Sequence, residues 1–287
     1  MTFAIQPLPV CRPALPLDKP AMLELTARIW DGEDYLPSVW DDWLAEPAGV
    51  LAVTELAGRL VGIGKLTRLT AEQWWLEGLR THPDFEGRGL ASHLADYLLA
   101  AWQKAGGRVL RLATASFRVP VHRLSEKRGF VKVGECSFFR ADGLAEAVAN
   151  FQPIQLAETP AALALAQANP IMDFMDILWR WAMPCLPLLE AAIQVQCAWW
   201  WQGRRGLLTW WVDDSEGEIK PCLSLLACEA NALPHLLADA RRLAASLGFA
   251  QIAWNAPLRA NVLDALALAG FRRTWEDGLY LYEKQAP

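Results

Sequence analysis

The period of the apolar positions changes several times along the chain, and each change marks an element. Residues 10–14 form a short apolar stretch that predicts a first strand. Asp18 then caps a helix with Pro20 in its first turn and Met22, Leu23, Leu25 and Ile29 on one face. After Trp30-Asp31-Gly32-Glu33-Asp34-Tyr35-Leu36-Pro37, a second amphipathic helix carries Val39, Trp40, Trp43 and Leu44. Strands at 50–56 and 60–66 flank Ala57-Gly58-Arg59 and read as a hairpin. Residues 74–80 are aromatic and aliphatic, the pattern of a buried strand, and His82-Pro83 stops it because proline cannot continue a ladder. Gly87 and Gly89 occupy the following turn, and from Leu90 the residues Leu94, Tyr97, Leu98, Ala101 and Trp102 recur at helical spacing. A strand at 108–113 follows Gly106-Gly107. A short helix at 120–128 ends in Gly129-Phe130, and a last strand or strand pair covers 131–140.

The second half repeats this order. A strand is expected at 151–157, and Thr159-Pro160 opens a helix through Ala168. Helices are expected at 172–181 and 186–193, and strands at 195–201 and 207–212 surround Gln202-Gly203-Arg204. A strand at 222–228, a helix at 233–247, a strand at 250–255 and a helix at 262–269 come next. Gly270-Phe271 echoes Gly129-Phe130, and 279–283 closes as a strand. The whole predicts an α/β fold with mixed sheets in two domains, 1–148 and 149–287. Strand alternation sends Trp199 and Trp201 to one face and Trp200 to the other, which calls for cover on both faces. Packing is favoured over a cage for a cationic ligand.

Composition narrows the classes of partner. Hydrophobic residues make up 53% of the 287 and charged residues 21%, enough for packed cores. The net charge is −5, with no cluster of Lys and Arg, so nucleic acid is not an expected partner. Arg88, and Arg204 with Arg205, are local basic sites able to meet an anion. No charged head followed by an apolar run opens the chain, and no apolar run reaches about 18 residues; neither a leader nor a membrane span is expected. The six cysteines form no C-x-x-C pair and the four histidines are scattered, so no metal is expected. Reduced thiols in the cytoplasm are the plain reading.

The stretch 76–91 carries the chemistry. Strand, glycine loop and helix in succession aim several backbone N–H groups and the positive end of a helix at one spot, which suits a phosphate or pyrophosphate. A simple tight turn is the competing explanation of the two glycines.

Two motifs sharpen this. Glu86-Gly87-Arg88-Gly89-Leu90-Ala91 and Leu124-Ser125-Glu126-Lys127-Arg128-Gly129-Phe130, at this separation, make roughly the first 140 residues resemble the GNAT superfamily of acyl-CoA-dependent N-acyltransferases. The family loop reads Arg or Gln, two residues, Gly, one residue, then Gly or Ala; Gly89 and Ala91 fit, and Glu86 departs. The later family segment reads Leu-Tyr-Glu-Lys-x-Gly-Phe; Ser125 stands in place of the tyrosine that often acts as general acid, and Arg118 near the position of a common asparagine. Gly32-x-Asp34-Tyr35-Leu36-Pro37 with Leu76-Glu77-Gly78-Leu79-Arg80 further resembles the histidine N-acetyltransferase-like branch. The second half is then a degenerate GNAT-like domain, since no glycine lies between Cys228 and His235.

The resemblance implies acetyl-CoA as cosubstrate in a gap between the fourth and fifth strands. Pantetheine would pair with Leu79, Arg80 and Thr81, and pyrophosphate would meet the N–H groups of Glu86, Gly87, Arg88, Gly89, Leu90 and Ala91. The N–H of Leu79 would stabilise the developing oxyanion. Glu77, a carboxylate on an apolar strand, is the expected base, with a structural ion pair to an arginine as the alternative. Asp31, Glu33, Asp34 and Tyr35 would border the acceptor pocket, where carboxylates favour a cationic amine, or else cap the second helix. Tyr97 is expected in the core, His122 on the surface of its helix, and Ser125 has too high a pKa for an acid, so the acid is left open. The expected activity is acetyl transfer to a primary amine of a small molecule, an amino acid or related metabolite. Protein amines as acceptors, or a non-catalytic acyl-CoA-binding sensor, are the alternatives.

Overall fold

The structure is a computed structural model, and it describes residues 8–145, 151–214 and 218–287. By internal contacts the chain groups into two compact units, Met1–Leu112 with Glu283–Pro287, and Ala113–Tyr282. The domain boundary expected between 148 and 149 lies outside the described residues.

In the first unit the order is β1 (Val10–Pro13), α1 (Lys19–Thr26), α2 (Leu36–Ala45), β2 (Val50–Leu56), β3 (Arg59–Arg68), β4 (Gln73–Thr81), α3 (Leu90–Lys104) and β5 (Val109–Ala115, to Leu112 in this unit). The strands lie in sequence order, β1 to β5, antiparallel except for β4 and β5. The period-2 alternation covers both faces of the sheet. Ile63 joins Met22, Leu25, Leu36, Trp40 and Trp43 under α1 and α2. Its neighbour Gly64 faces Leu94 and Leu98 of α3. The C-terminal residues complete this unit: Arg111 donates from Nε to Glu283 Oε2 at 2.7 Å and from Nη1 to Gln73 Oε1 at 2.6 Å, all but sealed from solvent. The N–H of Ala286 donates to the carbonyl of Arg108 at 2.7 Å.

Two irregularities in β4 shape the unit. The parallel ladder with β5 covers only Gln73↔Val109, Trp74↔Leu110 and Trp75↔Arg111, so Leu76 to Thr81 run on paired to β3 alone. In the β3 ladder, Ile63 faces Arg80 and Lys65 faces Glu77, so Gly78 and Leu79 together oppose Gly64. This is a bulge, and Gly78 supplies its left-handed residue with φ +66°. A Cβ there would come within 2.6 Å of the Trp43 ring, so glycine is required on both backbone and packing grounds.

The second unit contains α4 (Val119–Glu126), β6 (Val131–Asp142), β7 (Phe151–Pro153), α5 (Thr159–Ala168), β8 (Met175–Asp176), β9 (Trp181–Ala182), α6 (Leu186–Gln194), β10 (Ala198–Trp201), β11 (Gly206–Asp213), β12 (Lys220–Cys228), α7 (Leu233–Ser246), β13 (Gln251–Pro257), α8 (Ala260–Leu268) and β14 (Arg272–Arg273). The first part of β15 (Leu279–Gln285), to Tyr282, also belongs here. The sheet order is β6-β13-β12-β11-β10-β7, with β14 on β6. Trp199, Trp200 and Trp201 are all buried. Alternation holds: Trp201 donates its indole N–H to Asp239 of α7 at 2.7 Å, and Trp200 donates to Glu158, at the start of α5, at 3.2 Å. The irregularities of β4 recur in β12. Its parallel ladder covers only Cys222↔Ala253 and Leu223↔Trp254, and Ser224 is the extra residue of a bulge between Trp210↔Leu223 and Thr209↔Leu225.

The helix expected at 172–181 does not form. Two short strands, β8 and β9, take its place, with Leu178 and Trp179 between them at φ +49° and +71°. Asp176 explains the outcome. Its Oδ1 accepts the N–H of Trp179 at 2.8 Å, a local bond that competes with helix, and its Oδ2 accepts from Asn255 Nδ2 at 2.6 Å. Ser224 Oγ donates to the carbonyl of Asp176. Asp176 thus bridges β12 and β13 where their ladder ends. The strand expected from 195 starts at Ala198, because α6 runs to Gln194 and Gln196 adopts φ +57°.

Burial pushes the Asp176 carboxyl up to about 7, against about 3.9 in an unfolded chain. Between these values the folded protein holds a proton that the unfolded chain has released, so this group makes stability fall as pH rises from about 4 to about 7, and then level off. Denaturant titrations of the wild type should show that fall. Asp176→Asn should remove this share of it, since Asn255 can turn its amide to accept. A second expectation concerns the end of the chain: a fragment of residues 1–148 lacks Glu283 and should fail to give a cooperative thermal transition. A soluble, sharply melting fragment would show that 283–287 are dispensable.

Candidate active site

Local sequence sets the loop after β4. His82 is buried; its Nδ1 accepts the N–H of Asp84 at 3.2 Å, and Arg59 Nη2 lies 3.0 Å from Nε2. Burial, followed by the Arg59 charge, lowers the His82 pKa and keeps the ring neutral. Pro83–Phe85 makes one 3₁₀ turn, anchored on the other side by Arg28 to Asp84 at 2.7 Å. Arg88 lies over the Phe85 ring, 5.0 Å from its centroid, and Glu86 points into solvent.

Gly87 and Gly89 both adopt left-handed backbone, φ +75° and +77°, with open space where a Cβ would be. Gly89 is the N-cap of α3 and, as a glycine, brings no capping side chain of its own. The first N–H groups of α3 have no partner within the helix. The residues from Gly87 to Ala91 are therefore brought together as a backbone cradle, exposed at Gly87, Arg88 and Gly89, with Ala91 half-buried and the Leu90 side chain buried. Glu86, expected to add its N–H, instead donates it to the carbonyl of Pro83 at 3.2 Å and closes the 3₁₀ turn.

The bulge in β4 presents the other expected residues. Glu77 is half-buried, and Thr67 Oγ1 donates to its Oε1 at 2.5 Å. It directly faces Lys65 in the ladder, while the Lys65 ammonium pairs with Glu46. Arg80, on the same strand, pairs with Asp34. Arg80 donates from Nε to Asp34 Oδ2 at 2.8 Å and from Nη2 to Asp34 Oδ1 at 3.3 Å, and both side chains are buried. Its Nη1 donates to the carbonyl of Leu79 at 3.3 Å. Asp34 also accepts the N–H of Leu36 at 3.1 Å, which fixes the start of α2. Asp34 therefore cannot serve as the acceptor site's open anion: a guanidinium fork already occupies it.

The Arg80 guanidinium also lies 4.3 Å from the Trp30 ring centroid and 5.2 Å from that of Tyr35. Tyr35 packs edge-on against Trp43. Loss of water raises the Tyr35 pKa, Arg80 opposes this in part, and Glu77 adds to it, so the phenol stays protonated near neutral pH. Asp31 and Glu33 are exposed. Pattern reading missed Trp30, Thr67 and the bulge; an isolated glycine in a strand, Gly78, was the available signal for the last.

Three expectations about the acid change or sharpen. Ser125 is buried and its hydroxyl donates to the carbonyl of Val121 at 2.9 Å, so it is not presented to a ligand. His122, expected on the surface, is buried: Nδ1 lies 3.0 Å from the Tyr282 hydroxyl and Nε2 3.1 Å from the carbonyl of Ser116. Tyr97 is half-buried on α3, and loss of water raises its pKa. Among the described residues, no group of three or more His, Cys, Asp or Glu is placed to hold a metal ion, and no helix is long and apolar enough to cross a membrane.

In the second unit, the place of the glycine cradle is taken by Ala230–Ala232 and the start of α7, where Ala232 and Leu233 are buried.

The sequence model of the acetyltransferase (GNAT) family matches residues 19–130. Solved structures resemble nearly the whole chain in fold. A GCN5-related N-acetyltransferase from Sphaerobacter thermophilus is 14% identical with a TM-score of 0.64, covering 96% of this chain and 95% of that one. A proposed acetyltransferase from Thermoplasma acidophilum is 16% identical with a TM-score of 0.61, covering 96% and 100%. The GCN5-related glucosamine N-acetyltransferase region of a fungal multi-domain GH3 β-N-acetylglucosaminidase is 12% identical with a TM-score of 0.69, covering 98% of this chain and 38% of that one. No curated protein matches.

If the Asp34–Arg80 pair is what holds the helix connection to β4, Asp34→Ala should cost about 3–5 kcal/mol in chemical denaturation, because it strands a buried guanidinium. A loss below ~1 kcal/mol, the level of an exposed pair, would contradict that role.

Proposed function

We propose, from the premise that residues 19–130 are an acetyltransferase domain of the GNAT family, that this chain is an N-acetyltransferase. In this reading it moves an acetyl group from acetyl-CoA to a primary amine of a small molecule, in one complex with both substrates. The observation that carries the reading is the conjunction, in one unit, of a β4 edge free of β5 beyond Trp75 and a glycine cradle at the start of α3.

The residues fit the cosubstrate. The cradle of Gly87 to Ala91 offers backbone N–H groups and a helix dipole to a pyrophosphate, and its open glycines leave room for one. Glu86, unusual at its position, points to solvent and leaves that backbone in reach. The edge of Leu79, Arg80 and Thr81 offers ladder partners to the amides of pantetheine.

Acetyl-CoA supplies the activated carbonyl: the amine lone pair forms the C–N bond as the C–S bond breaks, and of the two protons the ammonium loses, one goes to the thiolate and one to water. Glu77, held by Thr67, takes the first proton from the ammonium. The N–H of Leu79, re-aimed by the bulge, donates to the carbonyl oxygen as it gains charge. Asp34 and Arg80 hold the helix connection against the strand that carries Glu77. With Ser125 tied to Val121, the thiolate takes its proton from water.

We assign the acyl-CoA site to residues 1–148 and none to 149–287, supported by Asp176 bridging the counterpart strands and by the buried Ala232 and Leu233. All six cysteines are free thiols, which supports a reducing compartment such as the cytoplasm.

Thiol release from acetyl-CoA with a panel of amines tests the reading. Glu77→Gln should lower kcat at least ~100-fold, within the range for a lost general base, with acetyl-CoA binding nearly unchanged. Binding without release in the wild type would point instead to an acyl-CoA sensor, the reading that the tied Ser125 favours.

A further inference from the structure

The aromatic rim of the helix connection bears on which amine is taken. Resting on the acetyltransferase reading, we propose that the acceptor is a primary amine carried on a planar apolar body that bears no carboxylate. Trp30 is 48% exposed and Tyr35 43% exposed, although both are among the side chains that gain most from burial. Both rings stack against one buried guanidinium, that of Arg80. The cation takes one face of each ring and fixes its position. The aromatic surface left in solvent is what a flat apolar group covers. Trp30, Asp31 and Gly32 all adopt left-handed backbone, φ +49°, +56° and +90°. For two non-glycine residues that is a strained turn, the kind held at ligand sites by its surroundings.

Charge decides the other end of the ligand. Arg80 is neutralised by both oxygens of Asp34 and also donates to the Leu79 carbonyl. Asp31 and Glu33 are exposed in the same connection, and Glu77 is half-buried on the strand beside it. An ammonium meets a favourable field there. A carboxylate meets three like charges and a guanidinium already in a fork. The amine of such a substrate forms the amide by the same exchange of bonds and protons described above.

Matched pairs test the proposal: tryptamine against tryptophan and phenethylamine against phenylalanine, with ethanolamine as an amine without a ring, in the thiol-release assay. Each arylalkylamine should exceed its amino acid in kcat/KM by about tenfold or more. Trp30→Ala should raise KM for tryptamine several-fold more than for ethanolamine, and Trp30→Phe, which keeps a ring, should restore most of it. Amino acids or ethanolamine used as well as the arylalkylamines would overturn the proposal and leave the acetyltransferase reading standing. If no amine releases thiol, that reading fails. Calorimetric titration of tryptamine into the full chain then decides the aromatic site: binding weakened by Trp30→Ala supports it, and no binding overturns it.

Discussion

Two charges withdrawn from water set the geometry of the first unit. Arg80 sits just past the bulge of β4, and Asp34 sits in the connection between α1 and α2. Neither tolerates burial alone, and a fork of two hydrogen bonds satisfies both in one arrangement. The consequence spreads in three directions. The Asp34 main-chain contact starts α2; the guanidinium becomes the floor on which Trp30 and Tyr35 rest; and β4, the strand that carries Glu77 and Leu79, is held against the helix connection through Arg80. The bulge works with the pair. Without the extra residue at Gly78, the side chains beyond it would change faces, and Arg80 would no longer point toward Asp34.

The second unit solves the same problem with different atoms. Here too a helix connection, that between α5 and α6, sends an aspartate to a bulged strand, β12, where its parallel ladder with β13 stops. The Asp176 carboxyl finds an amide and a main-chain N–H, with no cation paired to it among the described residues, while Ser224 donates to its main-chain carbonyl. Loss of water then outweighs the hydrogen bonds, and the carboxyl is pushed up to about 7. Asp34 is held by a charge and Asp176 by neutral donors. The first arrangement leaves the end of the ladder open. The second ties the two strands together.

The elements with a clean period were legible in the sequence: the hairpin of β2 and β3, the strand before His82, the long helix from Leu90. The glycine loop was legible because positive φ has few alternative explanations. What escaped had its cause far along the chain. Arg80 and Asp34 lie 46 residues apart, and nothing local in either marks the other. His122 lies off the face that Val121 and Leu124 mark on its helix and reads as exposed, yet Tyr282, 160 residues later, meets it with a hydrogen bond. Residues 172–181 carry Met172, Met175 and Leu178 at helical spacing, so the period was genuine. A single side-chain bond from Asp176 to the N–H of Trp179, together with partners on two strands, outweighed it.

The loops after β4 and β12 give the last comparison. Ala232 and Leu233 bury apolar surface at the head of α7, and each contributes to the stability of its unit. Gly87 and Gly89 bury nothing, touch nothing within 4 Å where a side chain would stand, and lose the most conformational freedom on folding. The head of α3 is thus the more costly construction of the two, on a scaffold that has a cheaper one available. Packing does not account for that cost. The pyrophosphate proposed for this loop would, because any Cβ at those positions would stand between it and the bare N–H groups.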